Sequence, residues 1–281
     1  MKIYSTTKLL FLTALFFTSM KLTAQDSNFY IFLCFGQSNM EGQGAIETID
    51  TVTNSRFKLL QALDCPGLNR EEGKWYEAAP PTCQCDTNLS PADWFGKTMV
   101  EHLPDSISIG IINVAIGGCD IRLFDKDKYE EYTLTYDEDW FKNKVAGYGG
   151  NPYKRLIDLA KIAKKDGVIK GILLHQGETN TGDEEWPKYV EKVYNDILND
   201  LSLESNSIPL LAGEMMQTEV NCCAEMIPIV NKLPEVIPNS YIISSEGCTG
   251  QDEAHFDSAG YRLLGKRYGY QMLELLGYKV E

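Results

Sequence analysis

The chain has 281 residues, with 26 Lys+Arg against 40 Asp+Glu, three His and eight Cys, and 43% of it is hydrophobic. That length holds one large domain or two small ones, and 11 Phe, 15 Tyr and 4 Trp supply a core that rules out intrinsic disorder. A net charge of −14 with no block of Lys and Arg excludes a nucleic-acid backbone or an anionic membrane surface as partner, because both need clustered cations.

Lys2 and Lys8 lie at the start, an apolar run of twelve residues follows from Leu9 to Met20, and Leu22-Thr23-Ala24 ends on a small residue. This pattern predicts a signal peptide over residues 1–24 and a mature terminus at Gln25. Twelve residues fall short of the about 20 that a spanning helix needs. A secreted or periplasmic protein is therefore expected, without stable membrane association after cleavage. Loss of Lys2, Lys8 and Lys21 leaves 23 Lys+Arg against 40 Asp+Glu, a net charge near −17. In an oxidising compartment an even cysteine count invites disulfides. One bridge is expected within Cys65, Cys83 and Cys85, and one within Cys222, Cys223 and Cys248. Cys34 lies inside an apolar strand pattern and reads as a buried free thiol. Cys83-x-Cys85 is spaced too tightly for a zinc pair and has no His near it, so no metal site is predicted.

From Gln25 onward, short apolar runs alternate with amphipathic stretches. Phe29–Cys34, Ser106–Asn113, Ile169–Leu174, Ile208–Ala212 and Tyr241–Ser244 read as five buried strands, each short, apolar and bounded by turn residues. Ser90-Pro91 and Asn151-Pro152 are helix starts, a polar cap followed by Pro at the first helical position. Tyr153, Leu156, Ile157, Ala160 and Ala163 form an apolar stripe that ends before Gly167. Glu184–Leu201, the region around Ala224–Leu233 and Ser258–Leu276 complete the helices. Strands separated by helices imply one α/β domain over 25–281, a five-stranded parallel sheet with helices on both faces. Glu47–Leu89 and Asp120–Gly150 are too long for simple crossovers and read as ordered excursions around a site.

In an open parallel sheet, ligands bind beyond the carboxyl ends of the strands. The first strand is followed by Gly36-Gln37-Ser38-Asn39-Met40, the second by the stretch ending in Gly117-Gly118, and the third by His175-Gln176-Gly177-Glu178. Asp252-Glu253-Ala254-His255 precedes the last helix. A serine, a glycine pair, an amide with a carboxylate, and an Asp–His pair are the parts of a serine hydrolase. An α/β-hydrolase is a poor fit, because Met40 stands where G-x-S-x-G needs its last glycine and Ser38 follows the first strand.

Gly-Gln-Ser-Asn-Met, His-Gln-Gly-Glu and Asp-x-x-His together resemble the SGNH (GDSL-like) hydrolases. Within these they are similar to carbohydrate esterase family 6 and the sialate O-acetylesterase domain. The resemblance spans essentially the whole mature chain, and Asn151 to Asp183 looks especially like bacterial acetylxylan esterases. Gln176 stands where the wider superfamily has Asn, a replacement shared by the sialate branch. The resemblance implies a three-layer SGNH-like sandwich, with Ser38 as nucleophile, His255 as general base and Asp252 as the acid that orients it. It further implies oxyanion donors from the backbone N–H of Ser38 and of Gly118 and from the Gln176 amide. Glu178 is either a partner holding Gln176 or His255, or a rival to Asp252. His175 is expected to be a buried scaffold residue. No cofactor is implied.

The resulting expectation is a secreted serine esterase that deacetylates an oligo- or polysaccharide, with acetylated xylan the leading substrate and O-acetylated sialic acid the alternative. A lipase or thioesterase of the same fold would want a long apolar groove, whereas both excursions are mostly polar. A carbohydrate-binding protein without chemistry would be expected to have lost at least one member of the set. Trp75, Tyr76, Trp94, Trp140 and Tyr148 are candidates for stacking on sugars, with core packing expected for at least half of them.

Overall fold

The computed structural model describes residues 25–217 and 221–279. The predicted signal peptide lies outside the described residues. None of the described helices is long and apolar enough to cross a membrane.

Seven strands form one sheet: β1 (Asp26–Gly36), β2 (Phe57–Leu60), β3 (Trp75–Glu77), β4 (Ser108–Ala115), β5 (Gly167–His175), β6 (Leu210–Gly213) and β7 (Ser240–Ile243), in the order β3-β2-β4-β1-β5-β6-β7. The five predicted strands are β1, β4, β5, β6 and β7, all parallel. The sheet has seven strands rather than five because the first excursion adds two at its edge. β2 runs parallel to β4, and β3 returns antiparallel to β2. These strands are four and three residues long, too short for an alternation to register in sequence.

The helices are α1 (Ser38–Glu41), α2 (Pro91–His102), α3 (Tyr129–Leu134), α4 (Asp139–Gly147), α5 (Pro152–Ala163), α6 (Trp186–Leu201), α7 (Ile227–Val230), α8 (Leu233–Val236) and α9 (Ser258–Leu275). The predicted starts hold: Ser90 and Asp93 cap α2 reciprocally, and the Asn151 side chain accepts from the Lys154 N–H at the head of α5. β1 lies at the centre with its apolar run buried on both sides, as a parallel strand requires. Ile31, Leu33 and Phe35 pack with Leu156 and Ala160 of α5 and Val190 and Val193 of α6. Phe32 and Cys34 pack with Phe95 and Met99 of α2 and Leu264 and Tyr268 of α9. Two cores, one on each face of the sheet, make three layers.

Both excursions are ordered. In the first, a Cys65–Cys85 disulfide and an Arg70 guanidinium donating to the Ala79 and Pro81 carbonyls staple the long loop. The second folds into α3 and α4. A second disulfide joins the neighbours Cys222 and Cys223. Cys34, Cys83, Cys119 and Cys248 are free and buried. Burial pushes the Cys83 thiol up to about 12 and raises Cys34 and Cys119 as well, so none of these three is a ready thiolate.

Candidate active site

β1 ends at Gly36, whose φ of 151° and tight approach to β5 leave no room for a side chain, since a Cβ would lie 2.0 Å from the His175 carbonyl oxygen. The chain turns there into α1, and Ser38 is its first residue. The Gln37 carbonyl accepts the Met40 and Glu41 N–H groups, while the Asn113 amide of β4 donates to the Met40 carbonyl. The serine is thus held at the carboxyl end of the central strand, largely buried with 8% of its surface exposed.

The loop between β7 and α9 carries the other two members. His255 Nε2 lies 2.9 Å from Ser38 Oγ, and His255 Nδ1 lies 2.9 Å from Asp252 Oδ2. The second Asp252 oxygen accepts the backbone N–H groups of Ala254 and His255 at 2.8 and 2.7 Å. Burial pushes the Asp252 carboxyl up, but these three hydrogen bonds and the His255 charge outweigh it and leave it below the ordinary carboxylate value. An ionised Asp252 can only accept, so Nδ1 carries the ring hydrogen and Nε2 is left to accept the Ser38 hydroxyl proton. The geometry can turn a serine hydroxyl into a nucleophile.

Beside Ser38 lies the turn after β4. The Ile116 N–H donates to the Gly36 carbonyl, and Tyr136 Oη donates to the Gly118 carbonyl at 2.7 Å. Gly118 has a φ of 72°, which disfavours any side chain, and a Cβ built on Gly117 would lie 3.6 Å from Ser38 Cβ. Among the described residues no protein acceptor takes the backbone N–H of Ser38 or Gly118. Two backbone donors beside one serine hydroxyl suit a developing oxyanion.

Gln176 does not join them. Its side chain is buried, and Nε2 faces three internal acceptors, Gln37 Oε1 at 3.1 Å, the Cys119 carbonyl at 3.1 Å and Asn180 Oδ1 at 2.7 Å. Its oxygen accepts from Trp186 Nε1. An amide nitrogen has two hydrogens, so none is left for an oxyanion. Gln176 instead ties Gln37, the 119 turn and α6 together from below. Gln176→Ala should lower the melting temperature, because unpaired buried polar groups cost about 1–3 kcal/mol each. Its loss of kcat in the folded fraction should stay below the 10²–10³-fold typical of a removed oxyanion donor, which thermal unfolding with steady-state kinetics would check.

Glu178 holds neither Gln176 nor His255. Its Oε1 accepts from Asn39 Nδ2 and faces Nε2 of the buried His175 at 3.5 Å. Burial raises the Glu178 carboxyl, while His175, Asn39 and its own backbone N–H hold it below the ordinary value. His175 is fully buried, with its ring edge-to-face on Phe256, the residue after His255.

Asn39 escaped the sequence reading, although it stands inside the first motif. Its Nδ2 also donates to the Ala254 carbonyl, and its oxygen accepts from Tyr261 Oη at 2.6 Å. One fully buried amide thus clamps the loop of Asp252 and His255 against the residue next to Ser38. A buried Asn within a serine motif was the available signal, but its partners are more than 130 residues away. Asn39→Ala should lower kcat by about 10²-fold through misplacement of the imidazole. KM for p-nitrophenyl acetate should barely change, because Asn39 is shut off from substrate. An unchanged kcat in the folded variant would remove the clamp role.

Among the described residues, the carboxylates of Asp125, Asp127 and Asp196 lie close enough to share a cation, and the Lys192 ammonium already sits among them at 2.7–2.9 Å. Of the five aromatic candidates, Tyr148 is buried, Trp94 donates to Asp50, Trp75 packs on Phe29 and donates to Asp166, and Tyr76 accepts the Glu71 N–H. Trp140 is 49% exposed and lies over Gly118.

The three-layer α/β architecture, with a Ser–His–Asp chain at the carboxyl end of the central strand, places the protein among ester hydrolases of the SGNH fold. A family described as carbohydrate esterase, sialic acid-specific acetylesterase, matches residues 28–274. The chain belongs to that family and is a carboxylic ester hydrolase. Solved structures agree on the fold. A protein of Arabidopsis thaliana aligns with a TM-score of 0.67 at 20% identity, over 88% of this chain and 98% of its own. NanS aligns at 0.63 and 16% identity over 90% and 99%. A carbohydrate acetylesterase from Xanthomonas citri, XAC1771, aligns at 0.60 and 16% identity, over 89% of this chain but 57% of its own.

Proposed function

We propose that this protein is an exported serine esterase that removes O-acetyl groups from saccharides through an acetyl-Ser38 intermediate. The continuous contact from Ser38 Oγ through His255 to Asp252 carries the proposal. Ser38 Oγ attacks the acetyl carbonyl carbon while its proton passes to His255 Nε2. Negative charge gathers on the carbonyl oxygen between the N–H groups of Ser38 and Gly118. Collapse breaks the bond to the sugar oxygen, which takes the proton from His255. Water then adds to the acetyl group, His255 receives its proton, and acetate leaves as the proton returns to Ser38.

The charges around the site favour a neutral sugar such as acetylated xylan. Arg122 is bound in a fork by the buried Asp120, through Nε at 2.9 Å and Nη2 at 2.5 Å. Lys144 is spent on the buried Glu41. Both cations are already matched, so a sialate carboxylate would have to compete for them. The family description is what supports sialate as the second reading. Export rests on the basic, apolar and small-residue pattern of residues 1–24.

The test is acetate release from acetylated xylan, acetylated mannan and O-acetylated sialic acid, beside p-nitrophenyl acetate and longer p-nitrophenyl esters. Preference for the neutral polysaccharides and for acetate over longer acyl groups supports the reading. Release from the sialate alone replaces the substrate, and preference for long acyl chains sinks the deacetylase assignment.

A further inference from the structure

We propose that Trp140 is the sugar platform of this esterase, the surface against which the pyranose ring of an acetylated saccharide stacks while its ester reaches Ser38. The proposal rests on the deacetylase reading and adds the residue that selects for a sugar. A Cβ built on Gly118 would lie 3.2 Å from Trp140 Cη2 and 3.9 Å from Cζ2, so the six-membered ring borders the turn that supplies a backbone donor beside Ser38. Half of this large side chain is nevertheless open to solvent.

The indole is held in place by its neighbours. Phe141, the next residue of α4, is buried and meets the Trp140 ring edge-to-face at 5.7 Å. Phe141 also stacks on Tyr136 with centroids 4.0 Å apart, and Tyr136 is the residue whose hydroxyl fixes the Gly118 carbonyl. One turn further along α4, Lys144 reaches Glu41, whose Oε2 lies 2.9 Å from the Cβ position of Gly117. Thus α4 is pinned through Phe141 and Lys144 to the elements that frame Ser38. A fixed aromatic face loses little conformational freedom on binding.

The chemistry of that face suits a sugar. Indole presents a negative π surface and a large apolar area, and a pyranose offers rows of C–H bonds on its ring faces with hydroxyls around the rim. Glu138, Asp139, Lys142 and Asn143 around Trp140 are exposed and polar, which fits hydroxyls at the edge of a stacked ring and does not continue an apolar track for an acyl chain. Gly117 and Gly118 add no side chain of their own between indole and serine.

The experiment compares wild type, Trp140→Ala and Trp140→Phe on an acetylated xylo-oligosaccharide and on ethyl acetate, an ester with the same acyl group and no ring. Trp140→Ala should raise KM for the saccharide about tenfold more than for ethyl acetate, with kcat little affected, and Trp140→Phe should recover most of the loss. Equal losses on both esters would make Trp140 a packing residue for the Gly118 turn and overturn the platform, as would an unchanged saccharide KM in Trp140→Ala. If wild type cleaves ethyl acetate but releases no acetate from any saccharide, the deacetylase reading fails and the platform with it. Saccharide cleavage by wild type with an unchanged kcat/KM in Trp140→Ala removes the platform alone.

Discussion

Ser38→Ala should fold normally and lose about 10⁶ in kcat on p-nitrophenyl acetate, the scale seen when the nucleophile of a serine hydrolase is removed. The expectation follows from position as well as chemistry. Ser38 Oγ is the atom within reach of His255 Nε2, and alanine at the first residue of α1 keeps the backbone bonds that hold that helix to β1 and β4. The substitution removes one hydrogen bond, worth about 1 kcal/mol, so the melting temperature should shift by only a few degrees. The initial burst of p-nitrophenol from wild type should vanish in the variant. Full turnover by a folded Ser38→Ala protein would falsify the acyl-serine mechanism outright.

Asp252→Asn should cost about 10⁴-fold in kcat, the loss recorded for the same change in a serine protease. An asparagine can keep Oδ1 as acceptor for the Ala254 and His255 N–H groups, so the loop retains its shape. It then presents an NH₂ group to His255 Nδ1, which must accept. The ring hydrogen moves to Nε2, and the Ser38 hydroxyl loses its proton acceptor. Glu178→Gln should be far milder, roughly tenfold, because its oxygen can still accept from Asn39 and it reaches the imidazole only through that amide and the Ala254 carbonyl. If Glu178→Gln loses more kcat than Asp252→Asn, with both proteins folded, the assignment of the acid is wrong. Acid should produce a related failure. Asp252 is held below its ordinary value, so the stability it contributes is fully present above about pH 4, the value of an unfolded aspartate. That stability is lost as pH falls through the lower folded value.

Much of this site could be read along the chain. Five buried strands were recognisable from their apolar runs, and in a parallel sheet the strand ends converge on one edge, so Ser38, Gly118 and the Gln176 segment were legible as neighbours. Asp252 and His255, three residues apart, could be expected to share a turn, and the structure places them in hydrogen-bond contact. Motif and periodicity are local signals, and these features are local or follow from strand order.

Other features depend on distances across the fold. Ser38 and His255 are separated by 217 residues, and Asn39 and Glu178 by 139, so nothing in either segment announces its partner. Gln176 looks in sequence like a free amide beside a serine. The indole of Trp186 and the side chains of Gln37 and Asn180 converge on it only when α6 and α1 close over β5: Gln37 and Asn180 take its amide hydrogens, and Trp186 donates to its oxygen. Cys65 takes Cys85 rather than Cys83, whose thiol is directed instead at the Ala115 carbonyl and the Tyr148 hydroxyl. The five aromatic candidates are equivalent as letters. Trp140 is singled out because α4 is anchored through Phe141 and Lys144, which leaves the indole exposed beside Gly118. Chain patterns record which side chains avoid water, whereas which polar atoms satisfy one another is decided when distant segments pack and compete for the same hydrogens.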